Sequence, residues 1–221
     1  MKNFILNLKL FTISLIFGLI FTSFFCINYS TRMQKAIANE VIRFHVLANS
    51  NSNFDQTLKL KVRDEILYAL RDKLSNAKNK SQTKFILQKN LPLIKKVARQ
   101  TIIKNGYNYD VKVLLTNDVF PTKSYADLKL PPGIYETLQI IIGNGRGENW
   151  WCVMFPPLCF VDAAKKSVPD NLKNDLKNIL TDDEFKLINS KNENISVKAK
   201  FKIVEAWQKF NIKFAKKKEL A

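Results

Sequence analysis

The chain has 221 residues and a basic composition, with 36 lysines and arginines against 19 aspartates and glutamates and a net charge of +17. It contains one histidine and three cysteines. Catalytic triads and metal centres need several converging His, Cys or carboxylate groups, so the composition disfavours both classes. The charge favours anionic partners, either membrane headgroups or nucleic acid, with a lysine-rich solvated surface as the plain alternative.

The amino end predicts a membrane-crossing segment. Lys2 and Lys9 precede a run from Leu10 to Thr31 that carries no charged residue. A helix of this length, at about 1.5 Å per residue, crosses a hydrocarbon core of roughly 30 Å, and the leading lysines keep the amino end in the cytoplasm. We therefore predict that residues 1–31 form a signal anchor or transmembrane segment and that the rest is exported. Among specific partners of the basic charge, an anionic membrane surface is then the favoured candidate beside a merely solvated lysine-rich surface, and no nucleic-acid partner is predicted.

Whether this segment is cleaved stays open. Ala36-Ile37-Ala38 has the small-x-small form of a signal peptidase site. It follows Arg32 and Lys35, however, and lies far from the apolar run, which favours an uncleaved anchor over a secreted form.

The exported part begins with a predicted strand and helix. Residues 40–48 alternate between apolar and polar side chains, with Arg43 and His45 on the polar face, as a half-buried strand does. Ser52 then begins a helix whose apolar residues recur at steps of three to four. A second helical pattern spans residues 82–104 and contains Pro92, which either kinks it or begins a new helix.

Three more strands are predicted after the helices, at residues 107–116, 134–142 and 150–155. The last two are joined by a connection whose length suits a hairpin. This order predicts an α+β domain with a small antiparallel or mixed sheet and helices packed on one face. We place the domain at residues 32–162. Residues 163–221 are predicted to form a basic, mainly helical carboxyl-terminal region, including an amphipathic helix at residues 196–214.

The stretch WWCVMFPPLCFVD at residues 150–162 concentrates large apolar groups and turn residues. In an exported chain, Cys152 and Cys159 are expected to form a disulfide, since the Pro-Pro bend can return the chain, although two reduced core cysteines are the alternative. Trp and Arg are favoured interface anchors, and strand alternation should turn one of the two tryptophans inward. The partner-binding candidates are Phe120, Arg146, Trp150, Trp151, Phe155, Pro156 and Pro157.

The chain offers little catalytic or metal-binding chemistry. His45 on a strand is more typical of a structural histidine than of a base, and zinc held by Cys152, Cys159 and His45 would lack a fourth ligand. The motif Gly143-x-Gly145-x-Gly147 lies between strands, whereas phosphate-binding loops precede a helix. We therefore predict no catalytic residue, no metal and no cofactor.

Two long segments resemble the stage II sporulation protein R family. They are VIRFHVLANSNSNFDQTLKLKVRDEIL at residues 41–67 and FPTKSYADLKLPPGIYETLQIIIGNGRGENWWCVMFPPLCFVD at residues 120–162. The resemblance implies a signalling protein of endospore formation, exported from the forespore into the septal intermembrane space. Its implied partner is a membrane-embedded aspartic-type protease of the mother cell, of the stage II sporulation GA type, which processes the sigma-E precursor. The alternative is an exported hydrolase or metal-dependent enzyme acting at the envelope.

Overall fold

The computed structural model describes residues 2–160 and 167–189. These residues fall into two compact units divided after Lys35. The first lies within helix α1, Lys2–Glu40, whose apolar side chains are largely exposed. Among the described residues, α1 is the one helix long and apolar enough to cross a membrane, a property that it shares with signal sequences. The predicted amino-terminal apolar helix is therefore confirmed.

The second unit is an α+β domain built around a mixed sheet. In chain order its elements are β1 (Ile42–Leu47), α2 (Asn53–Leu74), α3 (Lys80–Lys104), β2 (Val111–Phe120), β3 (Lys123–Tyr125), β4 (Leu128–Leu130), β5 (Gly133–Ile142), β6 (Asn149–Phe155), a 3-10 turn (Leu158–Phe160), α4 (Asp170–Ile179) and α5 (Asp182–Ile188). Four strands form the main sheet in the order β2-β5-β1-β6, and β3 pairs with β4 separately. β1 is parallel to β5 and antiparallel to β6. The predicted fold class is confirmed.

The predicted hairpin between the last two long strands is wrong. β5 and β6 both pair with β1, which lies between them, so that Phe44 faces Leu138 on one side and Cys152 on the other. The length of the connection alone could not show this, because a short loop can also pass over the end of one intervening strand. In this central place both faces of β1 are buried.

The glycine-rich loop at residues 143–148 makes this crossing. The backbone N–H of Gly147 donates to the carbonyl of Ala48, just beyond the end of β1. A Cβ at Gly147 would lie 2.2 Å from the carbonyl oxygen of Ser50, which no side chain permits. Gly143 also has a positive φ of 56°, a conformation that glycine adopts without strain. The glycines are therefore explained by a close backbone crossing.

Helices α2 and α3 cover one face of the sheet. α2 begins at the predicted Ser52, whose side chain accepts a hydrogen bond from the N–H of Asp55. α3 runs unbroken through Pro92, which lies on its exposed side. Each buried aliphatic side chain here contributes about 1.5 to 3 kcal/mol of transfer free energy. The core of this face includes Ile42, Phe44, Val46, Leu58, Val62, Ile66, Leu70, Leu87, Ile94, Ala98 and Ile102.

The opposite face of the sheet is also covered, over part of its area, so the prediction of a half-buried β1 is wrong. Arg43 and His45 are buried. A second cluster combines the end of α1 with β4, α4 and α5, and it includes Ile37, Val41, Phe120, Leu128, Leu130, Tyr135, Val153, Leu176, Leu180, Phe185 and Ile188. The predicted helix at residues 196–214 lies outside the described residues.

The second strand also differs from its predicted position. It was expected at residues 107–116, but β2 begins at Val111 and continues to Phe120. The short pair β3 and β4 lies between β2 and β5, in a segment for which no strand was predicted. The shift brings Asp118 onto the sheet, where it becomes part of the site described next.

Candidate functional site

Strand β6 presents Trp150 and Trp151 to opposite faces of the sheet, because successive side chains of a strand alternate. Trp150 lies on the helix side, with its ring 5.7 Å from that of Phe44 and the Arg63 guanidinium 4.8 Å from its centroid. Trp151 lies on the other side and stacks on His45 with 3.8 Å between ring centroids. Both rings are half-buried. Each tryptophan is therefore supported from one side and remains partly accessible.

Behind Trp151, four polar side chains form what we term the histidine cluster: His45, Asp118, Gln139 and Asn149. The Nδ1 atom of His45 lies 2.5 Å from Oδ2 of Asp118, and Nε2 lies 2.8 Å from Oδ1 of Asn149. Gln139 donates to the same Asp118 oxygen at 2.7 Å. Because the members come from β1, β2, β5 and β6, the cluster ties all four strands together.

The electrostatics of the histidine cluster favour an ionised Asp118. Burial raises the pKa of this carboxyl, but hydrogen bonds from His45, the Val119 N–H and Gln139 outweigh it, and the pKa lies below its ordinary value. A general base needs a ring nitrogen directed at open space. Here Asp118 and Asn149 occupy both nitrogens of His45, and Trp151 covers one ring face. The geometry is that of a structural clamp.

Next to this cluster, Arg43 is fully buried in an aromatic cage. Its guanidinium carbon lies 4.2 Å from the ring centroid of Phe120 and 4.9 Å from that of Tyr135. Nη2 donates to the Tyr125 hydroxyl at 3.0 Å. Burial lowers the pKa of Arg43, and cation–π contacts offset part of the cost of burying its charge. Phe120 is thereby fixed as a core residue.

The end of β6 carries the predicted disulfide. Cys152 and Cys159 are joined, with Cα atoms 5.6 Å apart, a usual separation for the bond. Between them the Phe155-Pro156 peptide is cis and both of its residues are buried, whereas Pro157 is half-buried. The bend therefore belongs largely to the core.

Beside this bend lies a groove of about 780 Å³, which we term the proline groove. It runs between the end of α2, the Pro-Pro bend and α4. Its lining is mixed, with apolar walls and charged groups at the rim, and includes Arg71, Leu74, Pro156, Pro157, Leu172 and Ile179. A groove of this size and composition suits a peptide segment or an apolar side chain from a partner.

The structure thus separates the seven predicted partner-binding residues by exposure. Phe120, Phe155 and Pro156 are buried, Trp150, Trp151 and Pro157 are half-buried, and Arg146 is exposed on the crossing loop. Sequence reasoning missed Asp118 because the predicted strand ended two residues earlier. It also missed Arg63, which contacts Trp150, and Arg71, which lines the proline groove. Their positions in the sequence of α2 do not indicate these contacts.

No metal site is apparent in residues 2–160 and 167–189, where no three His, Cys, Asp or Glu side chains converge as a metal ion requires. The zinc ligands considered from the sequence have other partners. His45 contacts Asp118 in the histidine cluster, and Cys152 and Cys159 are bonded to each other. The site is therefore one of aromatic, proline and arginine groups at a rigid strand end.

Fold and site together define an α+β domain that follows an apolar helix long enough to span a membrane and carries a rigid aromatic strand end. Residues 38–165 match the sequence model of the stage II sporulation protein R family, and the chain belongs to that family. It is similar to stage II sporulation protein R of Bacillus subtilis (strain 168), with 40% identity over 126 residues. That match covers 57% of this chain and 56% of the relative, little more than half of each. No solved structure matches the chain. Family membership supports a role in sporulation.

Proposed function

We propose that this protein is an intercompartmental signal of endospore formation. It is exported from the forespore into the septal intermembrane space, where it activates the mother-cell membrane protease that processes the sigma-E precursor. The observation that carries the proposal is the family match over residues 38–165, which contains the whole four-stranded sheet together with α2 and α3. This match and a site rich in contact groups support a role for the protein as a ligand.

The end of α1 supports an anchored form of the signal. The small-x-small sequence at residues 36–38 is part of the domain core, since Ile37 is fully buried. The Ala38 carbonyl also accepts a hydrogen bond from Lys80 Nζ at 3.1 Å. Cleavage after Ala38 would remove Ile37 from that core, at a cost typical of losing a buried isoleucine, about 2 to 5 kcal/mol. We therefore favour a protein that keeps its apolar helix.

The proposed contact with the protease uses the accessible part of the site. Trp150, Trp151 and Arg146 offer the residue types that dominate interface energetics. The proline groove provides a concave surface beside Pro157. Losing one such anchor costs about 2 kcal/mol or more, a drop of roughly thirtyfold in affinity. Phe120, Phe155 and Pro156 act in this scheme by holding the surface rigid.

The enzymatic alternative has its best candidate in His45. Its ring nitrogens are both engaged and its ring face is covered by Trp151. Acid–base chemistry would require Trp151 and Asn149 to move away together. These contacts support the interpretation of the protein as a ligand over that of an exported hydrolase.

The test measures sigma-E precursor conversion in sporulating cells whose only family protein is this chain. Trp150→Ala, Trp151→Ala and Arg146→Glu are compared with His45→Gln, which keeps hydrogen-bonding ability but cannot titrate. Immunoblots of each variant report the amount of exported protein. We expect at least one of the first three to reduce conversion tenfold or more at normal protein level, and His45→Gln to stay near the unmodified protein.

Phe85→Ala is the matched control, because this phenylalanine is an exposed aromatic on helix α3, outside the proposed contact surface. It should leave conversion unchanged. The proposal is overturned if the tryptophan and Arg146 variants are all silent while folded, exported His45→Gln abolishes conversion. That result would assign a catalytic role to His45.

A further inference from the structure

Helix α3 has a one-sided charge composition. Its sequence contains seven lysines and arginines and no acidic residue. Neighbouring α2 mixes both signs along its length. One face of α3 packs into the core through Leu87, Ile94, Ala98 and Ile102, so its basic groups lie on the remaining surface.

The outer face of α3 carries a row of residues, which we term the lysine stripe: Phe85, Lys89, Pro92, Lys96 and Ile103. At 3.6 residues per turn these positions fall on one side of the helix, and Phe85 and Ile103 lie five turns apart, about 27 Å. Phe85 is 55% exposed and Ile103 is 56% exposed. The Lys89 ammonium lies 4.5 Å from the Phe85 ring centroid. The stripe is therefore basic in the middle and apolar at both ends.

Acidic groups neutralise the flanks of α3 more than its middle. Glu136 of β5 pairs with Lys80 and Lys84 near the amino end, at 3.4 and 2.5 Å. Asp110 lies 3.7 Å from Arg99. It also shares a surface depression with Lys95, Lys96 and Lys112, where one carboxylate faces four basic groups. Asp64 and Glu65 of α2 share a surface depression with Lys104 near the carboxyl end.

Lys89, Lys95 and Lys96 lie between these flanks and are exposed. Among the described residues, no carboxylate lies within 4 Å of their ammonium groups. The middle of the stripe therefore keeps a net positive charge.

We propose that the lysine stripe binds the surface of an anionic phospholipid bilayer. Lysines near such a surface are attracted by its negative potential, and exposed Phe and Ile on the same helix face insert at the boundary between headgroups and acyl chains. Nucleic acid would use the lysines, but an acyl layer buries two exposed apolar side chains at opposite ends of the stripe more readily than a duplex does. The apolar ends of the stripe therefore favour lipid. This binding is independent of protease activation.

The experiment uses the full chain reconstituted in vesicles, with Phe85 replaced by the photoreactive p-benzoyl-phenylalanine. Vesicles of phosphatidylcholine alone are compared with vesicles containing phosphatidylglycerol, and lipid adducts are quantified by mass spectrometry after illumination. We expect at least tenfold more adduct with the anionic vesicles, falling to the phosphatidylcholine level in Lys89→Glu/Lys96→Glu. The pair Lys89→Arg/Lys96→Arg should keep the adduct.

The same probe at Tyr68 is the control, since this side chain is 73% exposed but lies on α2 among Asp64, Glu65 and Asp72. It should give equal, low yields with both vesicles. Circular dichroism confirms folding of each variant. Equal yields at position 85 with both vesicles, or an adduct that survives the charge reversal, would overturn the proposal. So would a DNA oligonucleotide that binds through the same lysines while the lipid adduct is insensitive to them.

Discussion

The two faces of the sheet share the same strands but are held by different chemistry. On the helix side, β1 contributes Ile42, Phe44 and Val46 to a core that is almost entirely aliphatic and aromatic. On the other side, the same strand contributes Arg43 and His45, each in contact with specific polar or aromatic partners. Apolar burial scales with area and is independent of pH. A buried polar cluster depends on every member, because one lost partner leaves another unsatisfied.

The largest expected effect is on the helix side. Phe44 is fully buried at the centre of the sheet, so Phe44→Ala should lower the free energy of unfolding by about 4 kcal/mol through lost burial and the cavity left behind. Urea unfolding followed by circular dichroism measures it. The exposed Phe54 is the control, and Phe54→Ala should change stability by less than about 0.5 kcal/mol. A loss below about 1 kcal/mol for Phe44→Ala would mean that this core is not tightly packed.

The disulfide links the helix-side core to the Pro-Pro bend, and its removal should have the next largest effect. By the chain-entropy relation, Cys152→Ser or Cys159→Ser should lower stability by about 2.5 kcal/mol. Signalling should persist at permissive temperature, because the bond serves stability. Alkylation with and without reductant, read by mass spectrometry, reports the bond directly. Two freely alkylated thiols in the folded, exported protein would contradict the prediction.

On the polar face, His45→Ala should lower stability by about 2 kcal/mol at neutral pH, because the Asp118 carboxylate loses a hydrogen-bond donor. The Trp151 ring also loses its stacking partner. A double-mutant cycle with Asp118→Ala isolates the shared part, which we expect to be about 1 kcal/mol or more. Strict additivity of the two changes would show that the histidine cluster does not act as a unit.

The smallest expected effect is a difference in acid sensitivity between the faces. Because the pKa of Asp118 is lowered in the folded state, its ionised form stabilises the protein above the unfolded value near 3.9 and loses that contribution as pH falls through the folded pKa. Asp118→Asn should therefore lose less stability than the unmodified protein between pH 5 and pH 3. The pKa values of Asp55, Asp127 and Glu136 are also lowered, so these carboxylates still contribute to the loss of stability in acid.

Phe44→Ala provides the matched comparison for this pH series. Its stability should depend on pH as that of the unmodified protein does, because the stability that it loses comes from apolar burial. Urea midpoints at several pH values measure both variants. If the stability of Asp118→Asn and that of the unmodified protein fell equally with pH, the Asp118 carboxylate would not contribute to the pH dependence.

The difference between the faces also explains which features the sequence could predict. Apolar periodicity and the Ser52 cap identified α2, since these are local signals. The burial of Arg43 and His45 could not be predicted, because an alternating strand with a polar face looks the same whether that face meets water or a polar core. Asp118 was missed because the predicted strand ended at residue 116, before the end of β2. The place of β1 between β5 and β6 depends on pairing between distant segments. The length of the loop between β5 and β6 gives no information about that pairing.

The central place of β1 also sets an order for folding. Arg43 pairs with Thr137 and Val153, both about a hundred residues further along the chain, and such distant contacts make folding slow because a long loop must close first. Helices α2 and α3 are sequence neighbours and can associate early. If the part of the chain after α1 crosses a membrane in sequence order, β1 arrives first. It then has no pairing partners until β5 and β6 have also crossed. The strand that is synthesised first is thus the last to gain its hydrogen-bonded neighbours.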